Sequence, residues 1–166
     1  MPSHLLQAED LPAVETVEVR DGHSASKTDC GAMDLEYNVA VTKGDPAYAR
    51  YALESGDSVV TTTQGPSTGQ PSIDYTITRV DGAIDECVKR ARTRPDAPFE
   101  RLEGLPEGAI GFRSVAQTSA GPETTDRAYG PVTDREVAVV TVKHLGDGEP
   151  TVSVAELLAK ALDRAR

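Results

Sequence analysis

Glu136-Val137-Ala138-Val139-Val140-Thr141-Val142-Lys143-His144 is the stretch that decides the fold. Residues 137–142 are nearly continuous in apolar, β-branched side chains, the pattern of a central strand covered on both faces. Gly146-Asp147-Gly148 then turns the chain, and Ser153 opens a Ser-x-x-Glu capping box with Glu156. Beyond it Val154, Leu157, Leu158, Ala161, Leu162 and Ala165 recur at helical spacing, which predicts a closing helix with one buried stripe.

Upstream of this unit, short strands are predicted over Phe99 to Leu102, Ala109 to Thr118 and Thr124 to Gly130, separated by Gly and Pro. The window from Ser72 to Arg94 carries Ile73, Ile77, Val80, Ile84, Cys87 and Ala91 at intervals of three and four, an amphipathic helix. Its last turn is basic, and Pro95 and Pro98 follow, as expected at a helix end. Cys87 falls on or beside its buried face. Tyr48 to Leu53 and Ser58 to Thr63 flank Glu54-Ser55-Gly56-Asp57, a predicted hairpin. Met33, Leu35, Tyr37, Val39 and Val41 alternate like a half-buried strand, and Val14, Val17 and Val19 mark a first one. Near the start, Ser3 is placed to cap a short helical turn through Leu5, Leu6 and Ala8. Residues 64–71 form a loop within the domain rather than a linker. Strands followed by helices, without a regular βαβ rhythm, predict an α+β fold with an antiparallel sheet and two main helices packed on it. A length of 166 residues makes residues 1–166 one domain.

The two cysteines, Cys30 and Cys87, are either buried free thiols or one disulfide. Cys30 lies among Lys27, Thr28, Asp29 and Gly31, a polar and turn-rich setting that favours the bridge. Closing such a loop stabilises a fold by about 4 kcal/mol if the effect is one of chain entropy. Trp is absent and Phe occurs twice, so the core rests on Val, Ile, Leu, Ala and five tyrosines, and a covalent tie suits it. Exported proteins keep disulfides, which leads to an extracytoplasmic location. The start, Met1-Pro2-Ser3-His4, carries no signal peptide: either the protein is cytosolic or the chain begins after a removed signal or lipid anchor, and the cysteine argument favours the second.

With 17 basic and 27 acidic residues the formal charge is −10, which disfavours nucleic acid and anionic membrane surfaces. No apolar run is long enough to span a bilayer. Lys89, Arg90, Arg92 and Arg94 make a local basic patch, read first as a helix end whose dipole favours cations. His4, His23 and His144 lack metal-ligand spacing and are expected to be ordinary surface histidines. No nucleophile elbow, phosphate loop or close cysteine pair occurs, so neither catalysis nor a cofactor is expected. Arg127, Tyr129 and Arg135 stand out within residues 119–135, because Arg and Tyr suit recognition surfaces. The competing reading of that segment is a plain exposed hairpin.

The order of features also resembles a known family. Leu5-Leu6 and Leu11-Pro12 come first, then a cysteine near residue 30 and a helix bearing the second. The strand Val137–Val142 and the helix Ala155-Glu156-Leu157-Leu158-Ala159-Lys160-Ala161 close the series. This is similar to the extracellular sensor domains of actinobacterial serine/threonine kinases of the PknH type, and to lipoproteins of similar make-up. The resemblance implies helices on an antiparallel sheet, a ligand groove and a sensor-like function without catalysis. The alternative is a structural or protein-interaction module of the cell envelope.

Overall fold

The computed structural model describes residues 5–21, 30–33, 47–66 and 69–165. Among the described residues seven strands form one sheet: β1 (Val14–Asp21), β2 (Ala47–Leu53), β3 (Ser58–Gln64), β4 (Phe99–Arg101), β5 (Ile110–Thr118), β6 (Gly121–Thr133) and β7 (Glu136–Leu145). Their spatial order is β1-β2-β3-β7-β6-β5-β4, and every neighbouring pair is antiparallel. The two long helices are α1 (Asp74–Ala91) and α2 (Val154–Arg164). The fold is therefore α+β, with an antiparallel sheet and two main helices, as the sequence predicts.

The central place of β7 follows from its side chains. Ala138, Val140 and Val142 point to one face, where they pack with Tyr51, Val59, Leu157, Leu158 and Ala161 under α2. Val137 and Val139 point to the other face and join Val80, Ile84, Phe99, Phe112 and Tyr129 under α1. Apart from Thr141, the buried positions of β7 are apolar on both faces, which is why its period-2 signal vanishes. Gly130 lets α2 approach closely, since a Cβ there would sit 3.1 Å from both Leu158 and Leu162.

Local chemistry sets the helix ends. The Glu156 N–H donates to Ser153 Oγ at 3.3 Å, so the predicted cap of α2 forms. At the other end, Arg164 pairs with Glu9 and Asp10, and Lys160 donates to the Asp10 carbonyl. These bonds clamp the turn Ala8–Asp10 onto α2, while Leu5 and Leu6 are fully buried. The predicted Ser3 cap and most of the strand expected over Met33–Val41 lie outside the described residues; Met33 itself sits in a helical turn over 31–33. Cys30 and Cys87 form a disulfide with their Cα atoms 5.9 Å apart, fastening that turn to α1. No described helix is long and apolar enough to cross a membrane.

Candidate functional site

The bridge builds a cleft. The end of α1, the turn after it and β4–β5 enclose a cavity of about 90 Å3 lined by Cys30, Cys87, Ala91, Phe99, Arg90 and Arg94. An open shelf of about 310 Å3 continues from it over Val88, Ala91, Pro98 and Phe99, with Arg92 and Arg94 beside it. The floor is held from behind. Phe99 stacks on Phe112, ring centroids 4.7 Å apart and 14° from parallel. The Arg127 guanidinium lies 5.6 Å from the Phe112 centroid on the far side, and its Nε donates to Thr141 Oγ1 at 3.0 Å. Arg101 on β4 reaches Asp81 and Asp85 of α1, each at 2.6 Å, and ties the helix down beside the cleft.

The sequence-predicted site residues separate here. Arg127 and Tyr129 are two apart on β6, face α1, and are 0% and 1% exposed. The exposed hairpin considered for residues 119–135 is thus corrected in its middle: Gly121–Thr133 is β6, and residues 124–130 of it are buried, while both ends of the segment are exposed or half-buried. Arg135 alone lies outside, in the β6–β7 turn, where it donates to the Pro71 carbonyl at 3.1 Å. The three do not share a surface. Arg127 instead supports the aromatic pair whose outer member floors the cleft.

His144 also departs from expectation. Its Nδ1 lies 2.6 Å from Asp57 Oδ1 and its Nε2 3.2 Å from the Asp147 carbonyl, so it is not a free surface histidine. The Asp57 hydrogen bond, with the Asp147 carbonyl adding to it, holds the imidazolium above its ordinary pKa of 6.5. Burial pushes the Asp57 carboxyl up, but the Thr151 N–H and hydroxyl and the His144 ring outweigh it and hold the group below its usual range. The pair has the form of half a hydrolytic triad, yet the Thr151 hydroxyl faces Asp57 and Ser55, and Nε2 meets a backbone carbonyl. The arrangement is a structural tie between the β2–β3 turn and the loop before α2.

A second groove, about 460 Å3, runs along the start of α2. Arg113 on its floor is gripped by both Asp126 oxygens at 2.6 and 2.7 Å and by Glu149. Those contacts hold the guanidinium far above its usual pKa, so its charge is matched within the fold, and Glu103 and Glu156 leave the rim acidic. Among the described residues no group of three or more His, Cys, Asp or Glu side chains could hold a metal ion. None of these pairs was legible in sequence, because their members lie 13 to 94 positions apart.

Compared with known proteins, the chain matches no protein-family model and no curated protein.

Proposed function

We propose that the chain is a non-catalytic ligand-binding or sensor-like domain that works outside the cytoplasm, on a cell-surface or secreted protein. The observation that carries this reading is the cleft beside the Cys30–Cys87 bridge. A disulfide persists in an oxidising compartment, and here it closes one wall of a partly apolar concavity with convergent cations, the form of a small-ligand site. The resemblance to extracellular sensor domains of PknH-type kinases supports the same reading. A thermal-shift screen over glycans, lipids and peptides tests it. One ligand class raises the melting temperature of the oxidised protein, and a bulky Ala91→Phe change in the cleft cancels that rise. A screen with no shift from any class would contradict the reading.

One feature favours the alternative of an envelope interaction module. Among the described residues β1 has a strand neighbour on one side only, and its Val17 and Val19 are 49% and 48% exposed. A partner strand added at that edge would make capture sensitive to Val17→Lys and indifferent to Ala91→Phe.

A further inference from the structure

We propose that the cleft takes a free amphiphilic anion: a small molecule whose apolar body lies along Phe99, Pro98 and Ala91 while its carboxylate or phosphate is held by Arg94 and Arg90. This assigns the ligand class to the site read above and rests on that reading. Charge is the first support. The chain as a whole carries −10, yet Lys89, Arg90, Arg92 and Arg94 fall together with no acid among them. Three arginines elsewhere in the fold, Arg101, Arg113 and Arg164, each contact two carboxylates. Arg92 and Arg94 form no ion pair among the described residues, and Arg90 has only an exposed i,i+4 pair with Glu86 at 3.0 Å. In a protein with 27 acids, cations left unmatched beside a cavity are available to an anion from outside.

The helix dipole accounts for Lys89 and Arg90, which lie in the last turn of α1. It does not account for Arg94, which lies beyond the end of the helix at Ala91 and borders both the cavity and the shelf. The apolar half of the site is equally specific. Its floor is one aromatic face held rigid by the Phe99–Phe112–Arg127 stack, so little order is lost when a ligand lies on it. The 90 Å3 cavity admits only one end of a ligand, and the shelf is near the lower limit for small-molecule pockets. These dimensions suit a short acyl or aryl chain. Glu100 beside the shelf and the overall negative charge oppose an anionic bilayer, which is why the source is a free molecule.

The test uses the full oxidised chain and displacement of the neutral fluorophore N-phenyl-1-naphthylamine by three probes of one chain length: decanoate, decanol and decyltrimethylammonium. Decanoate is expected to displace the fluorophore about tenfold more tightly than decanol, with the cation weakest, as one or two charge-assisted contacts would give. In the double variant Arg90→Gln/Arg94→Gln that advantage disappears, while decanol still displaces bound fluorophore and reports an intact cleft. Equal displacement by decanoate and decanol, or an advantage that survives the double variant, would overturn the anion inference and leave the binding reading standing. Fluorophore and probe binding that persists undiminished in Ala91→Phe, or no binding at all, would overturn both. Co-sedimentation with phosphatidylglycerol vesicles in the absence of decanoate binding would overturn the free source.

Discussion

Both ring nitrogens of His144 face acceptors, Asp57 Oδ1 and the Asp147 carbonyl, so both must carry protons for the two bonds to form together. The imidazolium is therefore the form the fold prefers. A histidine whose folded pKa is raised contributes stability that is full below its unfolded value near 6.5 and is lost as pH rises through the folded value. Asp57, whose folded pKa is depressed, contributes above its ordinary 3.8 and loses that contribution as pH falls through the folded value. Stability should thus peak between those limits and decline as pH rises above 6.5. Melting temperatures measured from there into the mildly alkaline range should fall for the natural protein and stay level for His144→Gln; the same slope in both would remove His144 as the cause. Nothing in the local sequence hints at this tie, since the two residues stand 87 positions apart and each looks ordinary in its own neighbourhood.

At the scale of elements, what was legible is what repeats. The stripes of both helices, the β2–β3 hairpin and the long apolar run of β7 all announce themselves by period or composition. β6 does so only in part: a strand over Thr124 to Gly130 is predicted, but its burial is not, because Thr124, Thr125, Asp126 and Arg127 are polar and carry no apolar period. Two glycines give opposite predictions. Gly82 lies within α1 on its exposed side, with nothing within 4 Å of a Cβ placed there. Gly82→Ala should stabilise the protein by up to about 1 kcal/mol in denaturant titration. Gly111 on β5 is the reverse case: a Cβ there would lie 2.5 Å from the Arg127 carbonyl oxygen, which is backbone. Gly111→Ala should cost roughly 1–3 kcal/mol, because the β5–β6 pairing must spread to admit it. It should also loosen the Phe112–Arg127 contact that backs the cleft.

For the whole molecule the bridge matters most. It joins the turn carrying Cys30 to α1 and sets one side of the cleft, so stability and the candidate site meet in it. Opening it should lower stability by about 4 kcal/mol, a large part of the roughly 5–15 kcal/mol that holds a domain of this size. The cysteine pairing and the fold class could be read from the sequence. The cleft could not, because its walls come from residues 30, 87–99 and 114–115, which only the folded sheet brings together. The decisive experiment is intact mass of the protein recovered from the cells that make it, with thiols quenched in acid and alkylated before and after reduction. A bridged protein takes up no label until it is reduced and two labels afterwards. Two labels on the unreduced protein would show free thiols, and the extracytoplasmic, bridge-built binding domain would be contradicted.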